Sequence, residues 1–414
     1  MRLLVAPHDL QIGGSQINAI DLAAGAAEAG HEVVVYGVPG PLVDRVEALG
    51  LDYVPARPLR YRPAPSRIQQ LTTLARRRRL DLIHAYEWPP CLDAYYGAHL
   101  MLGVPLVCTV LSMSVSPLVP RSIPLVMGTE ALGDEARQSH RAPVWVLEPP
   151  IDVAGDHPAI DGTAFRRDCG LADGSLLVVT VSRLAIDLKL DALVEAIDAV
   201  DLLAGRFPVR LAIVGGGPAA AALEERAADV NRRWDREVVR LTGPMADPRT
   251  AYAAADVVVG MGSSALRAMS IGRPVVVQGE EGFSKPVEPA TLPYFLRHGY
   301  WGRREDGWTV QRLADQLSAL LSDPDRRADL GSFGRRTVED RFSLPLATAR
   351  QLEIYEDVLA RGRWSSPADA ATAARRAVRL ELDNHDPRRK RARRHTEESL
   401  LARASRLREQ RAHA

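Results

Sequence analysis

The stretch Leu3-Leu4-Val5-Ala6-Pro7, followed by Gly13-Gly14-Ser15-Gln16 and then Ala29-Gly30-His31-Glu32-Val33, decides how this chain is read. An apolar run with no polar alternation predicts a strand buried on both faces. Ile17, Ile20, Ala24 and Ala27 then share one helical face, Gly30 ends that helix, and residues 32–36 read as the next strand. Strand, glycine turn, helix and strand in that order form one unit of a parallel sheet covered by helices.

The pattern continues outward. Further strands are expected at 82–84, 105–110 and 144–147. Residues 148–163 hold three prolines, three aspartates and two glycines without periodicity, and read as an interdomain linker. A second α/β set follows, with strands at 176–181, 209–214, 238–242, 257–259 and 274–277. Helices are expected at 190–204, 219–230, 310–321, 324–338 and 344–360.

Composition agrees with this class. The 414 residues imply two or three domains, and 46% apolar with 25% charged residues is ordinary for a globular protein. The net charge of +1 gives no overall field toward nucleic acid. Cys91, Cys108 and Cys169 are too few and too scattered for a disulfide scaffold or thiolate zinc site, so a reducing cytosol is expected. The apolar run at residues 1–8 is short for a secretion signal, and no uncharged run approaches the roughly 20 residues that span a bilayer, so neither secretion nor a membrane span is expected. Charge is uneven, however. Residues 361–414 hold fourteen arginines and one lysine against seven acids, a net of +8. With few large apolar residues, this tail is expected to be disordered or transiently helical, for example at 397–411. Residues 55–80 carry eight arginines and no acid, ending in Arg76-Arg77-Arg78-Arg79. That run is either a solvated helix end or a patch for anionic lipid. The 388–394 cluster offers a second such surface. Aromatic residues for stacking on nucleic acid are lacking in the tail, and no specific nucleic-acid partner is expected.

Three glycine turns sit where strands feed helices: Gly13-Gly14-Ser15, Gly215-Gly216-Gly217-Pro218 and Gly260-Met261-Gly262-Ser263-Ser264. Each is either a tight turn or a backbone cradle for phosphate. Gly260-x-Gly262-x-x-Ala265, with Glu280 about 20 residues on, also matches a dinucleotide fingerprint and keeps a nicotinamide-dependent oxidoreductase among the alternatives.

Residues 1–360 resemble the retaining glycosyltransferases of the GT-B fold, the group that includes bacterial mannosyl-, glucosyl- and N-acetylglucosaminyltransferases. The resemblance lies in Gly13-Gly14-Ser15-Gln16 with residues 29–33, in Val181-Ser182-Arg183-Leu184 with Lys189, and in residues 211–218. It continues in Ala268-Met269-Ser270-x-Gly272-x-Pro274-Val275-Val276, Asp323-Pro324 and Arg341-Phe342-Ser343. It implies two Rossmann-like domains facing across a cleft: an acceptor domain at 1–150 and a nucleotide-sugar domain at 164–343. A helix at 344–361 would return to the first domain, and the tail would occupy 362–414. The activity implied is retaining transfer of a sugar from a nucleoside-diphosphate donor to a hydroxyl acceptor, lipid-linked or polysaccharide. No metal or cofactor is implied, and the placement is cytoplasmic, peripheral at the inner face of the membrane. Arg183 and Lys189 match the family's cations, which stabilise the departing diphosphate. Gly14, Ser15, Gly262, Ser263, Ser264 and Glu281 are the expected donor contacts. His84, Glu87 and Trp88 are the expected acceptor contacts, with buried structural roles open for His84; His8 and Asp9 carry the same ambiguity.

The sequence also departs from the family. Arg267 replaces the glutamate that grips the nucleotide ribose, and a guanidinium cannot accept hydrogen bonds from hydroxyls. It would either add positive charge near phosphate or pair away from the site. Thr109-Val110 is followed by Leu111 where relatives carry histidine. Glu280 and Glu288 repeat the family's eight-residue spacing, but after the signature. These departures keep open a catalytically impaired relative that binds nucleotide and serves a partner.

Overall fold

The computed structural model describes residues 1–59, 61–186, 189–303, 310–362 and 366–386. The chain forms two compact units. One contains Met1–Pro150 together with the described residues from Phe342 onward, and the other spans Ile151–Arg341.

In the first unit, strands β1 (Arg2–Ala6), β2 (Glu32–Gly37), β3 (Asp52–Pro55), β4 (Leu82–Tyr86), β5 (Leu106–Val110), β6 (Leu125–Met127) and β7 (Val144–Val146) make one sheet. Its order is β3-β2-β1-β4-β5-β6-β7. Every pairing is parallel, with Leu4 opposite both Val34 and Ile83. The order reverses at β1/β4, the place where ligands bind such sheets beyond the strand ends. The two-residue period sorts the core. Leu4, Ile83, Leu106, Cys108, Leu125 and Met127 face the 65–78 and 88–99 helical segments. Leu3, Leu82, Val107 and Val126 face Ile354, Tyr355 and Val358 of the Leu344–Arg361 helix. Each fully buried side chain of this kind contributes about 1.5–3 kcal/mol over exposure.

The chain beyond Gly362 departs from expectation. Pro367–His385 is a helix that packs on this unit through Ala373 and Ala377, against Leu92 and Leu118. Small side chains suffice here because they let the helix approach closely. The Ser366 hydroxyl caps the helix by accepting from Asp369 N, and the Tyr96 hydroxyl donates to the Ala370 carbonyl at 2.5 Å. The tail helix expected at 397–411 lies outside the described residues.

The second unit holds β8 (Leu176–Val181), β9 (Val209–Val214), β10 (Val239–Gly243), β11 (Val257–Gly260), β12 (Val275–Gln278) and β13 (Ser284–Pro286), in the order β10-β9-β8-β11-β12-β13. All pairings are parallel except β12/β13, and the order reverses at β8/β11. Its core joins Val178, Leu211, Ile213, Val257 and Val259 to Leu193, Ile197 and Val200 of the Leu190–Leu203 helix and to Leu313 and Leu317 of Val310–Leu321. The segment read as a linker is built into this unit from Ile151 on. Ile151 and Asp156 are buried, and the Arg335 guanidinium donates to the Val153 and Asp156 carbonyls at 3.1 and 2.8 Å. Strands β3, β6 and β13, of three or four residues each, were not anticipated. Among the described residues, no helix is long and apolar enough to cross a membrane.

Candidate active site

In the second unit the β8 and β11 ends define the switch point. After β8 the chain runs beside the turn that follows β9: Ser182 N donates to Val214 O and Leu184 N to Gly216 O, both at 3.0 Å. Gly215 makes this possible. Its φ is +151°, and a Cβ there would lie 1.8 Å from the Ser182 carbonyl oxygen. The Gly215–Gly217 turn is therefore a structural clamp that fixes the segment carrying Arg183.

Arg183 is exposed. Lys189 is half-buried immediately before the Leu190–Leu203 helix. Burial, then the Arg183 charge, pulls the Lys189 ammonium down to about 8. Among the described residues neither cation pairs with a carboxylate. Two cations beside a helix amino terminus oppose the helix dipole, so the arrangement favours an added anion.

The β11 end is tied to the same place. Gly262 adopts φ +59° before the Ser263–Ser270 helix, a conformation that favours glycine. Its N–H donates to the Tyr300 carbonyl at 2.7 Å. The Ser264 hydroxyl donates to the Val181 carbonyl at 2.9 Å and accepts from Tyr252 at 3.0 Å. The Gly262 amide and the Ser264 hydroxyl, in the loop expected to contact donor, both staple it to neighbouring backbone. Ser263 is half-buried at the first helical position, where backbone N–H groups lack intrahelical acceptors.

Arg267 is one turn further along. Its guanidinium makes a two-point pair with Asp156, Nε–Oδ2 2.7 Å and Nη2–Oδ1 2.9 Å. Its charge is therefore already compensated by the former linker. Glu280 is likewise engaged by Arg303 at 2.6 Å. It begins the tight turn between β12 and β13, so the dinucleotide reading loses its free acidic residue. Glu281 stands exposed at the tip of that turn with φ +55°.

In the first unit, the β1 and β4 ends face a comparable switch point. Gly14 is exposed at the start of the Gly14–Glu28 helix. The Gln16 amide nitrogen lies 3.0 Å from His8 Nε2 and donates to Asp9 Oδ1 at 2.8 Å. His8 Nδ1 and Ser15 Oγ are buried atoms with no protein partner, a state that ordinarily signals a bound water or ligand group.

His84 is corrected to a core residue. It is 1% exposed, with Nδ1 2.7 Å from the Tyr355 hydroxyl and Nε2 2.6 Å from Thr109 Oγ1. Burial lowers its pKa to about 3, so the ring stays neutral. Glu87, with φ +68°, accepts from Leu111 N at 2.8 Å, Ser112 N at 3.0 Å and Ser112 Oγ at 2.8 Å. It shapes the loop where the expected histidine is missing. Trp88 is half-buried, with the Arg62 guanidinium 5.0 Å from its ring centroid.

These features define a two-domain α/β protein with Rossmann-type sheets and a cationic switch point in the second. The chain belongs to the glycosyltransferases of the GT-B fold: residues 12–122 match Glycosyltransferase Family 4, and residues 175–323 match Glycosyl transferases group 1. A GDP-mannose-dependent monoacylated alpha-(1-6)-phosphatidylinositol monomannoside mannosyltransferase of Corynebacterium glutamicum is 30% identical over 223 residues, 50% of this chain and 54% of that protein. This match spans about half the length of that relative. A D-inositol 3-phosphate glycosyltransferase of Thermobispora bispora is 29% identical over 332 residues, 70% of this chain and 74% of that protein. Among solved structures, a glycosyltransferase of Rickettsia africae superposes with a TM-score of 0.70 at 14% identity, covering 86% of this chain and 98% of that one. Anabaena HepE in complex with UDP gives 0.69 at 19% identity, covering 86% and 100%. At such identities these two likenesses speak to the fold alone.

Proposed function

We propose that this protein transfers a hexose-type sugar from a nucleoside diphosphate to a hydroxyl acceptor, with retention and without a metal ion. The observation that carries the reading is the pair Arg183 and Lys189 beyond the carboxyl end of β8, neither of which pairs with a carboxylate among the described residues, with Lys189 partly desolvated. As the bond from the anomeric carbon to the diphosphate oxygen breaks, negative charge grows on that oxygen. Fixed cations stabilise it without reorganising. The bond to the acceptor oxygen forms on the same face, and the acceptor proton passes to the departing phosphate. The first-helical-turn amides at Ser263 and the exposed Glu281 supply further donor contacts within the same unit.

The mannosyltransferase relatives bear names of phosphatidylinositol-mannoside acceptors. Together with Arg76-Arg77-Arg78-Arg79, this supports a lipid-linked acceptor reached at the cytoplasmic leaflet. The test is a thermal-shift screen against UDP, GDP, dTDP, ADP and NAD(P), with chelator and with magnesium, followed by turnover with the matching nucleotide sugar. A shift from one nucleoside diphosphate that persists in chelator and is lost in Arg183→Ala is the expected result. Binding without turnover would make the protein a nucleotide-binding partner subunit, and a magnesium-dependent shift would overturn the charge-stabilisation scheme.

A further inference from the structure

The Pro367–His385 helix has two chemically different faces. Its inner face is fixed to the first unit by Ala373 and Ala377, by the Arg376 guanidinium donating to the Pro117 carbonyl at 2.7 Å, and by Glu381, whose Oε1 accepts from Arg62 N at 2.9 Å. The acids turn inward or sideways: Asp369 is buried, and Glu381 and Asp383 are half-covered. The outer face presents Arg375, Val378, Arg379 and Leu382 along one stripe at helical spacing. Val378 is 49% exposed and Leu382 68%. Among the described residues no carboxylate pairs with Arg375 or Arg379. Leu59 and Tyr61, in the segment before the Arg62 whose amide Glu381 holds, are also exposed. In sequence the helix leads into five arginines and one lysine at 388–394, without an acid.

We propose that this outer stripe docks on an anionic lipid surface. Val378 and Leu382 would enter the boundary between headgroups and acyl chains, and Arg375 and Arg379 would meet the headgroup phosphates. The inference rests on the membrane placement proposed above, and it assigns that placement to the C-terminal helix instead of the 76–79 arginines alone. Interleaved apolar side chains favour lipid over nucleic acid, because a phosphate backbone gives Leu382 and Val378 no apolar phase to enter.

The experiment is co-sedimentation of the full chain with phosphatidylcholine vesicles, with and without phosphatidylglycerol. Three proteins are compared: the unaltered chain, Val378→Asp with Leu382→Asp, and Arg76–79 all changed to Gln. The unaltered chain is expected to bind only the anionic vesicles, and less at high salt. The aspartate variant should lose at least about tenfold in partitioning with an unchanged melting temperature, since both sites are exposed. Full binding by that variant, with loss in the glutamine variant, would overturn the inference and leave the membrane reading standing. No binding of the unaltered chain to either vesicle would overturn both. Oligonucleotide binding that the aspartate variant loses, with vesicle binding intact, would reassign the face to nucleic acid.

Discussion

At the carboxyl end of β4 the polar residues that stand out in the sequence are committed to the protein itself, whereas beyond the carboxyl end of β8 Arg183 and Lys189 pair with no carboxylate among the described residues. His84 has both ring nitrogens engaged, and Glu87 accepts three hydrogen bonds from residues 111–112. Arg183 and Lys189 stand at the equivalent topological position of the second sheet, and among the described residues neither pairs with a carboxylate. Satisfied polar groups rigidify a fold, while uncompensated like charges raise its free energy until an anion arrives. Position at a strand end is therefore not enough to mark chemistry. The balance of charge around the position is what separates the two ends.

The largest expected effect tests this contrast directly. Arg183→Ala and Lys189→Ala should each lower kcat/KM for the donor by about 10²–10³, as losing one preorganised stabilising group does elsewhere. Melting temperatures should hold or rise, because like-charge repulsion is relieved. A steep loss of thermal stability in either variant would mean that these cations hold the fold together, and the contrast would collapse.

His84→Phe is the counterpart in the first unit. It leaves the Tyr355 hydroxyl and Thr109 Oγ1 without their partner inside the core, at a cost of about 1–3 kcal/mol seen as a lower melting temperature. The acceptor KM should not change. A raised acceptor KM at unchanged stability would return His84 to the acceptor site.

What the sequence revealed follows physical range. The long apolar strands were legible because five or six buried residues leave a local signature, as in Leu176–Val181. Arg183 and Lys189, a few residues beyond that strand, stood out only through the resemblance to a family motif, because the residues alone favour a solvated surface pair. The Gly215 turn could be read as a turn, but its clamp on Ser182 depends on a segment over 30 residues earlier. Arg267 showed its own chemistry, and Asp156 lay hidden in a proline-rich stretch 111 positions away. The packed Pro367–His385 helix escaped for another reason. A rule that counts large apolar residues misses an interface made by Ala373 and Ala377.

The smallest effect is the most diagnostic, because it follows one proton. A lysine must be protonated to stabilise a departing phosphate, and Lys189 is held down to about 8 by burial and by Arg183. The free enzyme's kcat/KM should therefore be level near neutrality and decline above about pH 8. Arg183→Gln removes the coulombic cause and leaves the burial, so the alkaline limb should move part of the way toward the ordinary lysine value while the plateau drops. Lys189→Arg should abolish the limb, since a guanidinium stays charged throughout that range. The neutral His84, held at about 3, contributes nothing between pH 5 and 9. A limb that stays near pH 8 in Lys189→Arg would assign the titrating group elsewhere and leave Lys189 as a binding charge only.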